Sequence, residues 1–198
     1  MQAPSEKALR LFARIRRIGD PILSTPSALV NPRDPAAVVA RHELHEVLAA
    51  FRKVKGFGRA IAAPQIGYPM QMIALNLGGG NIFTIHNPEI INHSSELFTM
   101  YDDCFSFPDM LVRVKRHIDV GIRYENDDGE RVEIASAGQA FSELLQHETD
   151  HLNGITSFDR ADGPGAVLTR DVYLDRKAEF DAAVDYAISP TIEEVPVC

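Results

Sequence analysis

Gln146-His147-Glu148-Thr149-Asp150-His151-Leu152-Asn153-Gly154 carries more chemical information than any other run in this sequence. It carries H-E-x-x-H inside a run with helical periodicity. Ala140, Phe141, Leu144 and Leu145 continue an apolar side, and Gly154 supplies a stop after Leu152. On a helix, His147 and His151 stand one turn apart on one face, where two imidazoles at i and i+4 bind one metal ion. Glu148 points to the side of that face, poorly placed as a ligand but within reach of a water beside such an ion, which is the position of a general base. The competing reading is a chance pattern with the histidines as cap or surface residues. The apolar continuation weighs against it, because it sets them near a core.

Around this stretch, 198 residues that are 45% apolar and 24% charged describe a single domain, 1–198, with enough chain for a buried core. Residues 188–198 read as a flexible tail. No apolar run has the length of a membrane span and no basic-then-apolar leader follows Met1, so the expectation is a cytoplasmic protein with no membrane partner. Twenty basic against 28 acidic residues, a net charge of −8, argue against an extended nucleic-acid surface and leave room for a local basic patch. Two cysteines make no disulfide framework. Cys198, after Pro190 and Pro196, reads as a loose thiol, whereas Cys104 sits mid-chain in a polar stretch.

Towards the N-terminus, Ser5 to Arg17 reads as a helix using Ala8, Leu11, Phe12 and Ile15. Gly19-Asp20-Pro21 breaks it, and Pro26, Pro32 and Pro35 keep residues 21 to 34 extended. Asp34-Pro35 starts a long helix whose stripe is Ala40, Leu44, Val47, Leu48 and Phe51 and which ends near Gly56. His42 and His45 in it have no third ligand type nearby and read as surface or packing residues. Residues 71 to 77 and 81 to 85 predict a hairpin about Gly78-Gly79-Gly80, and Asn87-Pro88 a turn, with strand-like segments following through Ile90, Leu97 and Phe98. Ile118 to Tyr124 alternates, Asn126-Asp127-Asp128-Gly129 turns, and Val132 to Ala135 returns. After Gly163-Pro164-Gly165, residues 169 to 187 predict an amphipathic helix on Val172, Leu174, Phe180, Ala183 and Val184. The expected class is α+β: antiparallel sheets packed around a central H-E-x-x-H helix, with N-terminal helices and a C-terminal helix.

A catalytic zinc-type site uses three protein ligands and an open position, and the helix offers two. Cys104, in Asp102-Asp103-Cys104-Phe105-Ser106, is the candidate third. Its alternative is a buried thiol behaving as a small apolar group, which its polar neighbours disfavour. In Gly58-Arg59-Ala60-Ile61-Ala62-Ala63-Pro64-Gln65-Ile66-Gly67, small residues permit close backbone approach and Gln65 offers a neutral amide donor of the kind that stabilises an oxyanion. Taken alone, a loop between helix and strand with alanines for packing is the simpler reading.

Together the three stretches resemble the peptide deformylase family, whose signatures run approximately G-x-G-x-A-A-x-Q, E-G-C-x-S and Q-H-E-x-D-H in the same order. The likeness extends to Gly19-Asp20-Pro21, Asn87-Pro88-Glu89 and Asp159-Arg160. It implies an α+β metalloenzyme that removes the formyl group from N-formylmethionyl peptides of nascent proteins, with one Fe²⁺ per chain, or Zn²⁺, Ni²⁺ or Co²⁺ in its place. By the resemblance Cys104, His147 and His151 are ligands, Glu148 is the base, and Gln65 with the backbone N–H of Phe105 holds the oxyanion. It also carries over Gly58, Arg59, Ala60, Met100, Asp103, Glu143 and Leu144 as substrate-binding positions. The implied partners are a formylated peptide and the ribosome.

The chain departs from the pattern in places. The family's Glu is shortened to Asp102 and its Gly is the charged Asp103; Asp102 is expected to pair with Arg116 and so orient the Cys104 segment. The second Gly of the first signature is Ala60. Arg59 stands where the family has an apolar pocket residue, and Glu143, one turn before His147, faces the same side, so the two are expected to pair or to swing aside. Three functions stay open: an active deformylase, a related hydrolase of another N-acyl or formyl substrate bearing a polar group, and a metal-bearing protein without turnover.

Overall fold

The computed structural model describes residues 5–78, 81–189 and 192. Ser5 accepts the Ala8 N–H and opens α1 (Glu6–Phe12). The helix ends before Arg17 because the chain tightens there: Arg14 and Ile15 donate back to the Leu11 and Phe12 carbonyls, and Arg16 donates away to Gln65. Residues Pro21–Ser24 are not extended but form a 3-10 turn, capped by Asp20 Oδ1 accepting the Ile22 N–H at 3.1 Å. Pro35 begins α2 (Pro35–Lys55), Gly56 at φ +78° ends it, and Ala40, Leu44, Val47, Leu48 and Phe51 are buried as expected. His45 Nε2 lies 2.7 Å from Thr84 Oγ1, and His42 is exposed.

The strands are β1 (Ala60–Ala62), β2 (Met72–Leu75), β3 (Phe83–His93), β4 (Leu97–Asp102), β5 (Met110–His117), β6 (Val120–Glu125), β7 (Arg131–Ile134) and, after α3 (Gln139–Leu152), β8 (Val167–Thr169). One antiparallel sheet runs β1-β2-β3-β6-β7 and the other β4-β5-β8. β2 and β3 are antiparallel neighbours with Leu75 opposite Phe83, although Gly79 and Gly80 of the expected turn lie outside the described residues. Asn87-Pro88 does not turn the chain. β3 passes through it with a register shift between His86 and Glu89, where proline, lacking an N–H, is tolerated. Asn87 takes φ +50° there, and its side chain accepts the Val30 N–H at 2.9 Å and donates to the Val30 carbonyl at 2.7 Å, tying down the proline-rich segment.

The expected C-terminal helix over 169 to 187 is instead two short ones, α4 (Arg170–Asp175) and α5 (Lys177–Ala182), separated by Arg176 at φ −124°. Neither buries a residue, so the apolar stripe finds no core to hold one continuous helix together. Beyond them Tyr186 bridges to Met100, and Ile192 donates its N–H to Leu77 at 2.9 Å; of the expected tail, residues 190, 191 and 193–198, Cys198 included, lie outside the described residues.

α3 touches β1, β3 and β5 and so lies against both sheets. Leu144, Leu145 and Leu152 pack with Ile73, Leu75, Val120 and Ile122, while α2 closes a second cluster on Ile61, Met72 and Ala74. Every residue of α3 from Phe141 to Leu152 is buried, including eight polar ones. No helix among the described residues is long and apolar enough to cross a membrane.

Candidate metal centre

A helix with that many buried polar side chains demands partners for them. Gln146 accepts the His117 N–H and donates to its carbonyl, both at 2.9 Å, as though adding a rung to β5. Thr149 Oγ1 donates to the Leu145 carbonyl at 2.7 Å. Asp150 accepts from Arg116 and, at 2.8 Å, from Arg160. Asp102 Oδ2, at the end of β4, accepts from Arg116 at 3.0 Å and Ser157 at 2.9 Å and lies 2.8 Å from His147 Nδ1. Arg116 is therefore a buried cation shared by two carboxylates on different elements. Ser157 is a partner that no motif announced, because it enters from a loop.

His147, with Nδ1 engaged, has Nε2 left for a ligand. Cys104 Sγ lies 3.2 Å from His151 Nε2 and 3.1 Å from Gln65 Nε2. The ligand atoms of Cys104, His147 and His151 all fall within 4.8 Å of one another, and all three residues are buried. One sulfur and two imidazoles converging in a dry site form a donor set for a borderline-soft divalent ion with an open position. Glu148 Oε2 and His151 Nδ1 are buried with no hydrogen-bond partner among the described residues.

The electrostatics fit a cation. Burial alone would raise the Asp102 carboxyl, but His147 and then Arg116 outweigh it and hold it well below the usual carboxylate range. Burial likewise opposes charge on His147, yet Asp102 prevails and pulls it well above its usual value, so positive charge at this imidazole is favoured. His151 is held well below its usual value by burial and then by His147, which favours the neutral imidazole that a metal site would use. Burial, only partly opposed by His147, pushes Glu148 up to about 7.

Gln65 belongs to a short turn after β1. Its Oε1 accepts the Ala62 N–H at 2.8 Å, which leaves Nε2 as the end directed at Cys104 Sγ and, at 3.2 Å, Ser106 Oγ. Phe105 is set by its ring, stacked on Phe51 at 3.8 Å, and by its carbonyl, which accepts from Arg17 Nη1 at 2.9 Å. Gly58, at φ +116°, is required: a Cβ there would come within 2.7 Å of Phe105 Cζ.

Arg59 and Glu143 do pair, Nη2 to Oε1 at 2.6 Å. Burial raises Glu143 to about 6 against the opposing Arg59. The pair borders a cavity of about 40 Å³ that also reaches Ala60, Leu144, His147 and Glu148. A second cavity of about 240 Å³ adjoins it across Arg59, Asp103 and Cys104, walled by Tyr101, Tyr173 and Tyr186. Asp103 faces Arg170 of α4 at 2.8 Å. Ile188, in the segment read as tail, lines both cavities. Met100 is placed otherwise than the resemblance implied: it is fully buried with Phe98, Val112 and Val114 and borders neither cavity, because β4 turns it into the core of the smaller sheet.

Against known proteins, residues 12–166 match the family model described as Polypeptide deformylase. A peptide deformylase of Thermotoga petrophila is 32% identical over 162 residues, 82% of this chain and 94% of its own length. In three dimensions the chain is similar to the peptide deformylase of Thermotoga maritima, with 29% identity, a TM-score of 0.67, and coverage of 75% of this chain and 97% of that one. It is likewise similar to the Arabidopsis thaliana peptide deformylase 1B solved with an inhibitor, with 28% identity, a TM-score of 0.66, and coverage of 85% and 88%.

Proposed function

The chain belongs to the polypeptide deformylase family, hydrolases that remove formyl groups, and from that premise we propose which of its residues carry the reaction. Cys104, His147 and His151 hold one divalent ion, Glu148 moves the proton, and Gln65 with the Phe105 N–H receives the oxyanion. A divalent ion in that position, Fe²⁺ or Zn²⁺, Ni²⁺ or Co²⁺ in its place, supplies Lewis acidity to the formyl oxygen and to the attacking water.

The rest is done by the chain. Glu148 Oε2 takes a proton from the attacking water, whose oxygen bonds to the formyl carbon. Gln65 Nε2, an uncharged donor, meets the oxygen that becomes negative and adds no competing cation to a site already holding one. Glu148 then gives its proton to the departing nitrogen as the C–N bond breaks, leaving formate and a free amine. A carboxyl raised to about 7 by burial gives and takes a proton near neutrality with little penalty either way. Asp102 holds the His147 ring in one orientation through Nδ1.

The observation that supports this reading most is the convergence of one sulfur and two imidazoles within 4.8 Å, beside a buried carboxylate oxygen with no hydrogen-bond partner among the described residues. A nascent formylated chain as substrate makes the cytoplasm, and the neighbourhood of the ribosome, the place of work. The test is metal content together with formate release from formyl-Met-Ala. The wild type is expected to hold about one divalent ion per chain and to release formate, and Cys104→Ala and His151→Ala to lose both. Full metal content in both variants would rule out the three-ligand assignment.

A further inference from the structure

The site has a charged wall that the chemistry above does not use. Arg59 and Glu143 are 7% and 1% exposed, and although Nη2 of Arg59 faces Glu143, its Nη1 is buried with no hydrogen-bond partner among the described residues. Arg59 borders both cavities, so a substrate side chain meets it whichever one it enters. We propose that Arg59 and Glu143 set the first side chain of the substrate: among formylated peptides this chain selects an uncharged hydrogen-bond acceptor, such as a carboxamide or a sulfoxide, over a thioether or alkyl chain of the same length. The proposal rests on the deformylase reading of the site.

The first reason is the unmatched donor. An alkyl or thioether chain laid against Arg59 seals Nη1 from water and gives it nothing, whereas a carbonyl-type oxygen satisfies it. Sites with buried polar groups discriminate against analogues that lack the matching partner far more strongly than apolar pockets discriminate by size. The second reason is charge. The smaller cavity is bordered by the carboxyls of Asp102, Asp103, Glu143 and Glu148 against only two basic side chains, Arg59 and His147, and these are already committed to Glu143 and Asp102. An anionic side chain would meet this surplus of carboxylates, and a cationic one would compete with Arg59 for Glu143. An uncharged acceptor alone satisfies Nη1 without disturbing the pair.

The test uses the metal-loaded protein and four dipeptides, formyl-Gln-Ala, formyl-Met-Ala, formyl-norleucine-Ala and formyl-Glu-Ala. The Gln, Met and norleucine side chains have the same length, so reach cancels. Two quantities are read: kcat/KM for formate release, and Kd by calorimetry on Glu148→Ala, in which turnover is slowed about 10²- to 10⁴-fold. Formyl-Gln-Ala is expected to exceed formyl-norleucine-Ala by about 10-fold or more in both, the factor that goes with one unmatched buried donor, and to exceed formyl-Glu-Ala. Arg59→Leu with Glu143→Leu is expected to reverse the order of the Gln and norleucine substrates. The wild-type ratios decide the matter even if that variant folds poorly. Norleucine or Met equal to or better than Gln in both readouts overturns the proposal while leaving the deformylase reading intact, and a preference for Glu over Gln overturns it as well. Formate from none of the four would remove the deformylase reading and the proposal with it.

Discussion

Gln65 joins two tasks in one side chain, since the bond from the Ala62 N–H to Oε1 is what presents Nε2 to the site. Gln65→Leu should therefore lower kcat by about 10²- to 10³-fold, the usual effect of losing one oxyanion donor, while metal content stays near one per chain. Glu148→Ala should also keep its metal and lose about 10²- to 10⁴-fold in kcat, measured as formate release. Near-normal turnover in that variant would mean that the water is activated by another group. Asp102→Asn should weaken metal affinity by about 10- to 100-fold, read by competition with a chromophoric chelator, because the carboxylate that fixes His147 is reduced to a poorer partner. At this scale the chain was legible wherever chemistry fixes residue type at short spacing, as in His147, Glu148 and His151. Ser157, which donates to Asp102 from a distant loop, and Ile188, which lines both cavities, carry no local pattern and could not be read.

The elements that sequence reasoning recovered are those with a regular face and clear ends: α2 between Asp34-Pro35 and Gly56, α3 with its stop at Gly154, and the β6–β7 hairpin about Asn126 to Gly129. β5 escaped because its inward face includes Arg116, a buried charge that spoils the alternation of apolar and polar residues. β1 and β8 are only three residues each, too short for any period to show. The C-terminal helix was over-read because an amphipathic stripe does not reveal whether a core awaits it. Gly154 closes α3 against the segment after Asp20. It sits at φ +71°, and a Cβ there would come within 2.8 Å of the backbone of Ser24 and Thr25. Gly154→Ala should cost about 1–3 kcal/mol, seen as a lowered Tm, since both the left-handed conformation and the close approach are lost to a side chain. An unchanged melting curve would show that the α3 terminus and the segment after Asp20 are not tightly opposed.

Over the whole molecule, His45 and His86 are pressed below their usual value of 6.5, chiefly by burial. The native state then binds fewer protons than the unfolded chain. Their contribution to stability is complete above the unfolded value and is lost as pH falls through the lower folded ones. Between pH 7 and pH 5 these two histidines work against Glu143 and Glu148, whose raised carboxyls favour the native state as pH falls. His86→Gln should therefore raise Tm at pH 5 relative to pH 7 compared with the wild type, as followed by thermal melts across the range. An unchanged difference in the variant would assign the pH dependence to other groups. The site itself spans the architecture: Cys104 lies two residues past the end of β4 in the three-stranded sheet, the two histidines lie on the helix between the sheets, and Gln65 follows an edge strand of the other. An ion held there fastens parts of the chain far apart in sequence, and at about 100 times its Kd it adds about 2.7 kcal/mol to the native state. Occupancy thus governs survival as well as reactivity. A chelated sample should be degraded by protease far faster than a loaded one, so that in a cell short of the ion the molecules unable to work are also the first to be cleared.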